Sequence, residues 1–131
     1  MDNKTKIGDL IEQLQEVAQC KATRDLKGSW YKGSRTYLDA LVSEVKEVEE
    51  ELDPWRQCFL EDEVGDLLWN LVCLIEHLEL EGKVNKSDIF RRSLKKYTER
   101  VTSRAFNESW DDVKKRQKLE LQREYEQQSN S

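Results

Sequence analysis

The sequence predicts an all-α protein, a helical bundle built on an antiparallel helical hairpin and completed by homo-oligomerisation. Three observations predict it. Apolar residues recur at helical intervals along most of the 131 residues. The single proline, the five glycines and the scarcity of Val, Ile or Thr runs leave little material for strands and hairpin turns. Hydrophobic residues make up 37% and charged residues another 37%, a balance that suits surface-rich helices around a small core. The length fits a single domain, 1–131. A net charge of −5 argues against nucleic acid as a partner, because polymer phosphates want a basic stripe. No apolar run approaches about 18 residues and no charged-then-apolar leader opens the chain, so no membrane partner is expected and a cytoplasmic location follows. Cys20, Cys58 and Cys73 are odd in number and widely spaced, and read as reduced, buried thiols.

The elements follow in order. From Lys4 to about Lys21, the residues Ile7, Leu10, Ile11, Leu14, Val17 and Ala18 form one helical stripe. Thr23 to Ser34 breaks that period, with Gly28 and Gly33 around Trp30 and Tyr31; Trp30 is either a lid over core residues or a stacking surface for a flat ligand. Thr36-x-x-Asp39 has the form of a capping box, and the stripe Leu38, Leu41, Val42, Val45, Val48, Leu52 then runs to a turn at Asp53-Pro54. Asp53 as N-cap and Pro54 at the first helical position would start the next helix, whose apolar residues from Phe59 to Leu80 cover most of its circumference, as in buried helices. After Gly82, Asn85 or Ser87 can cap a helix with Phe90, Leu94, Tyr97, Val101 and Ala105 on one side. Its other faces carry Arg91, Arg92, Lys95, Lys96, Arg100 and Arg104, either for solubility or, with Lys96 and Arg100 four apart, to grip a phosphate. Trp110 and Val113 anchor a tail that is helical at first and frays over about 116–131.

Two acidic pairs organise the middle of the chain: Glu44-x-x-Glu47 and Glu63-x-x-Asp66. Residues three apart on a helix share a face, so each pair can aim two carboxylates at one point. The pair centres lie about 9.5 residues on either side of position 55, so a hairpin folded there brings both to one height, about 14 Å from the bend. Four converging carboxylates repel one another, and a bound hard cation is the usual remedy. Glu47 lies opposite the apolar stripe of its own helix, which is the pattern of a merely wet face. Glu63, Asp66 and Asn70, by contrast, form a narrow polar line on an apolar rod, where ionised groups need compensation. Gly65 between them implies a close approach by a neighbouring helix or a ligand. His77 stands alone and reads as a packed core residue; no Glu-x-x-His occurs, against a di-iron carboxylate bundle. Solenoid repeats, a phosphate-binding glycine loop and a Ser/His/Asp arrangement are likewise absent from the sequence.

The paired motif resembles the signature of the MazG-like all-α nucleoside triphosphate pyrophosphohydrolases. Glu-x-x-Glu, fifteen intervening residues (48 to 62) and then Glu63-Val-Gly-Asp66-Leu-Leu-Trp carry the likeness, which spans about residues 28–115. Trp30 lies where the family often has a tryptophan, Lys96 with Arg100 resembles its basic pair, and Trp110-x-x-x-Lys114 resembles its C-terminal Trp/Lys pattern. Two segments depart from it: Trp30 sits between Ser29 and Tyr31 instead of within Cys-Pro-Trp-Asp, and Val101–Arg104 replaces a His-Pro-His segment. The resemblance implies hydrolysis of a (deoxy)nucleoside triphosphate to the monophosphate and pyrophosphate, as house-cleaning of the nucleotide pool. It implies Glu44, Glu47, Glu63 and Asp66 as metal ligands and catalytic groups, with Mg²⁺ as the metal and Mn²⁺ able to substitute. Lys96, Arg100, Trp30, Asn70 and Lys114 become candidate substrate contacts. Family members commonly form dimers or pairs of dimers. The competing reading is a non-catalytic helical dimerisation module whose acidic pairs are solvated or salt-bridged.

Overall fold

A computed structural model describes residues 6–129. They form five α-helices, with no strand among the described residues: α1 (Ile7–Asp25), α2 (Arg35–Glu50), α3 (Gln57–Leu80), α4 (Lys86–Tyr97) and α5 (Trp110–Ser129). A π-helical turn, Thr98–Thr102, continues α4. The expected helix start at Lys4 lies outside the described residues. No helix among them is long and apolar enough to cross a membrane. The chain divides into two compact units, one ending at Lys86 and the other beginning at Ser87.

In the first unit α3 packs against both α1 and α2. The core is thin, as the composition implies: Ala18 of α1, Tyr37 of α2, and Val72 and Cys73 of α3, flanked by Leu14, Tyr31, Trp69 and Leu74. Beside it lies a buried polar network. Asp25 and His77 are each 1% exposed, with His77 Nε2 2.9 Å from Asp25 Oδ2 and Tyr31 Oη 2.6 Å from His77 Nδ1. Lys21 and the Tyr37 hydroxyl donate to the same carboxylate, and the Tyr37 ring stacks on His77 at 5.1 Å between centroids. Burial pushes the Asp25 carboxyl up, but the bonds from Lys21, Tyr37 and His77 outweigh it and hold the group below its ordinary value. His77 is thus a packed core residue, as its isolation in the sequence suggests. The network also explains why α1 runs past Lys21: one more helical turn delivers Asp25 to partners on α2 and α3.

The helix starts differ from those the sequence suggests. α2 opens at Arg35, one residue before Thr36. The Thr36 hydroxyl accepts from the Lys32 amide at 2.9 Å, so it braces the loop and forms no capping box. Ser34 fills the cap position, and its amide and hydroxyl bond the Glu81 carboxylate beyond the end of α3 at 2.8 and 3.0 Å. α3 opens at Gln57, three residues beyond Pro54, because Trp55 sits at φ +59° in the left-handed region and cannot continue a helix. The buried residues of α3 all lie in its second half, Asn70, Val72, Cys73, Ile75, Glu76 and His77; Phe59, Val64 and Leu68 before them are exposed, as is Leu71 on the outer side of that half. The expectation of a helix buried throughout therefore fails at its N-terminal half. Leu38, Val42 and Val45 on α2 are exposed as well. Of the three thiols expected to be buried, Cys73 is, whereas Cys20 and Cys58 lie exposed on the outer faces of α1 and α3.

The second unit holds α4, the π turn and α5, with α5 packed on the turn. Ser109 and Asp112 make a reciprocal cap, each amide donating to the other's side chain at 3.0 Å, which starts α5 at Trp110. Val113 is buried, and the helix continues to Ser129 through the stretch expected to fray. Residues 130–131 of that stretch lie outside the described part.

Candidate functional site

α2 and α3 bring the acidic pairs together. Glu44, Glu63 and Asp66 each offer a carboxylate oxygen, and the three oxygens lie within 4.8 Å of one another. Glu47 lies within hydrogen-bonding reach of both Glu44 and Glu63. One oxygen of Glu44 and one of Glu63 are buried without a hydrogen-bond partner. Burial pushes the Glu63 carboxyl up to about 7, helped by Glu47, Asp66 and Glu44. Burial also raises Glu44, with Glu47, Asp66 and Asp62 adding like charge. Asp62 is a contributor that the pairwise spacing does not single out; its signal is the run Glu61-Asp62-Glu63.

The donor set fits a divalent cation. It is all carboxylate oxygen, the preference of hard cations, and it contains buried oxygens whose lone pairs have no protein donor. Left to themselves these groups repel, and the raised values of Glu44 and Glu63 record that repulsion together with burial. Gly65 stands between Glu63 and Asp66 with no described atom within 4 Å of the position a Cβ would take. Among the described residues of the chain no neighbouring helix approaches it, which leaves open space beside the carboxylates.

The remaining candidates have distinct settings. Asn70 is buried one turn beyond Asp66, and its side-chain amide donates to the Asp66 carbonyl at 2.9 Å. Trp30 is half exposed, set edge-on to Tyr31 and Tyr37, with Lys21 Nζ 4.4 Å from its ring centroid. Gly28 makes room for it, since a Cβ there would come within 3.0 Å of the indole. Lys96, Arg100 and Lys114 belong to the second unit. Arg100 is buried, its Nε donating to Gln117 at 2.8 Å and its guanidinium 5.4 Å from the ring centroids of Tyr97 and Trp110. Lys96 is exposed and lines a cavity of about 420 Å³ with Tyr97 and Leu121. The π turn separates their environments, so the two cations do not lie together on one exposed face. Lys114 is exposed near the start of α5.

An all-helical chain that gathers carboxylates from two helices at one point has the makings of a divalent-cation enzyme. The comparison with known families makes this specific. The model of the MazG nucleotide pyrophosphohydrolase domain matches residues 32–105, more than half of the chain, and the chain belongs to this family. The matched span contains all four acidic residues, Asn70, Lys96 and Arg100, and stops short of Trp30 and Lys114. No curated protein and no solved structure matches the chain significantly.

Proposed function

We propose that this chain is a Mg²⁺-dependent nucleoside triphosphate pyrophosphohydrolase, yielding the (d)NMP and pyrophosphate as nucleotide house-cleaning in the cytoplasm. The observation that carries the reading is the set of converging oxygens of Glu44, Glu63 and Asp66, two of whose side chains keep buried oxygens without a donor. Glu44, Glu63 and Asp66 hold the cation, and Glu47, in reach of two of them, fixes their orientation. A Mg²⁺ held by these carboxylates would supply positive charge to the phosphates and would lower the pKa of water. The open space at Gly65 admits the phosphate chain beside the carboxylates. The water's oxygen ends on the α-phosphate, the α–β bridging oxygen leaves with pyrophosphate, and a proton is released.

Lys96, Arg100 and Lys114 are the proposed counter-charges for the phosphates, Trp30 the proposed stacking surface for the base, and Asn70 a further substrate contact. Glu47 is proposed as a metal-site group along with the other three. The convergence is what an antiparallel hairpin folded at residues 51–56 would give. The exposed apolar rows Leu38, Val42, Val45 and Val64, Leu68, Leu71 support a homodimer that covers them. Those rows would equally suit a purely interacting module, so the deciding experiment is chemical. Incubated with mixed triphosphates and Mg²⁺, the protein releases pyrophosphate and monophosphate in equal amounts. Release of orthophosphate and diphosphate, or no turnover at all, contradicts the proposal.

A further inference from the structure

In the second unit the buried cation lacks what its exposed neighbours have. Arg92 pairs with Glu124, Lys95 with Glu99 and Glu120, and Arg116 with Glu108. Arg100, in the π turn, is 7% exposed, yet no carboxylate of the described residues pairs with it. Its Nε donates to Gln117 Oε1, and its flanks are the rings of Tyr97 and Trp110. All three partners are neutral. Neither Nη nitrogen has a hydrogen-bond partner among the described residues, and neither is among the buried atoms left without one, so the fork reaches the surface while its stem is sealed. A buried guanidinium without a counter-charge is costly to keep. Its fork matches phosphate oxygens in pairs.

Glu99, next to Arg100 in the chain, is the acid that could cancel it. That carboxylate is held elsewhere, 3.1 Å from Lys95 Nζ and 2.9 Å from Gln117 Nε2. Gln117 Nε2 also donates to the Lys96 carbonyl at 3.0 Å, which fixes the amide against the π turn. One side chain thus offers its oxygen to Arg100 and its nitrogen to the competing acid. Gln117 lies two turns beyond Trp110 on the same face of α5, and beyond the end of the family match at residue 105. We propose that Gln117 is a positioning residue for substrate, holding Arg100 unneutralised with its Nη fork free to grip phosphate oxygens. The inference rests on the reading of Arg100 as a counter-charge and adds how that charge is kept available. A carboxylate at position 117 would pair with Arg100 and cancel it, and an apolar side chain would release both Arg100 and Glu99.

Isothermal titration calorimetry of the full-length, metal-free chain with inorganic tripolyphosphate reads this without turnover. The wild type should bind. Gln117→Glu should raise the dissociation constant about tenfold or more, because a charged partner occupies the guanidinium. Gln117→Met, which loses the orienting bonds but adds no charge, should raise it only about threefold. In an Arg100→Met background Gln117→Glu should cost nothing further, which separates an effect through Arg100 from repulsion by the new carboxylate. Melting curves establish that each variant is folded at the titration temperature. With a nucleoside triphosphate and Mg²⁺, Gln117→Glu should raise KM by a similar factor and leave kcat within about twofold, a split that mere loss of folded protein does not produce. No tripolyphosphate binding by the wild type, equal losses in Gln117→Glu and Gln117→Met, or an undiminished loss in the Arg100→Met background would overturn the proposal. Wild-type affinity in Gln117→Glu alongside normal pyrophosphate release would strike Gln117 alone. The expected binding losses without any turnover would contradict the enzymatic reading and leave the phosphate grip standing.

Discussion

Asp25 and Glu63 are both acids of the first unit, the one 1% exposed and the other half-buried, and their neighbours are opposite in kind. Around Asp25 every neighbour is a donor: Lys21, Tyr37 and His77 bond its two oxygens, and its carboxyl is held below the ordinary value. Around Glu63 the neighbours are other acids, one of its oxygens is buried without a donor, and its carboxyl is pushed up to about 7. A saturated acid stabilises the fold as it stands. An acid left short of partners costs stability in the metal-free chain and is retained for a ligand that completes it. The comparison sets Asp25, whose partners are complete, against the Glu44–Asp66 cluster that we propose for chemistry, and each role can be tested separately.

The largest effect is expected on turnover. Asp66→Asn or Glu47→Gln should lower pyrophosphate release by roughly 100-fold or more, while the helical circular dichroism stays unchanged. Activity close to wild type in either variant would remove the cluster from the mechanism. Asp25→Ala should do the reverse. It leaves His77 and Lys21 without their buried partner and should cost about 3–5 kcal/mol in urea unfolding, and any loss of activity should track the loss of folded protein.

Acid titration sharpens the same contrast. A carboxyl whose folded value is lowered contributes stability at pH above its unfolded value, and that contribution is lost as pH falls through the folded one. Stability of the wild type should therefore drop on acidification below pH 3.8, the ordinary aspartate value, more steeply than that of Asp25→Asn. Equal slopes would mean that the Asp25 bonds contribute no net stability. The smallest effects concern substrate grip. Lys96→Ala should lower kcat/KM severalfold for all triphosphates alike, whereas Trp30→Ala should change their ranking, since stacking acts on the base. An unchanged ranking would reduce Trp30 to a lid over Tyr31 and Tyr37.

Much of the acidic site was legible because its information is local. Two carboxylates three apart on each helix, spaced evenly about residue 55, lead to the cluster that joins Glu44 to Glu63 and Asp66. What stayed hidden depends on distant partners or on backbone shape. Asp25 meets His77 from 52 positions away in the sequence, and nothing near Asp25 marks it as buried. Thr36 has the spacing of a capping box, but Glu81, 47 positions from Ser34, satisfies the helix entry instead. Pro54 is a sound helix starter by type, and the left-handed Trp55 after it delays α3 to Gln57. On the basic helix, the spacing of Lys96 and Arg100 suggested a matched pair; the π turn opening at Thr98 gives them different environments. Irregular helices carry no hydrophobic signature that would reveal such a change of register.

The contrast between the satisfied and the unsatisfied acid is tested most directly by one set of melting curves: wild type and Asp66→Asn, each metal-free and with saturating Mg²⁺. Without metal, Asp66→Asn should melt at or above the wild type, because one of the repelling charges is gone. With Mg²⁺ the wild type should rise by several degrees and overtake the variant, which should hardly respond, since only a ligand that binds the native state raises its melting temperature. A wild type indifferent to Mg²⁺, or a variant stabilised as much as the wild type, would contradict the assignment of these carboxylates to a metal.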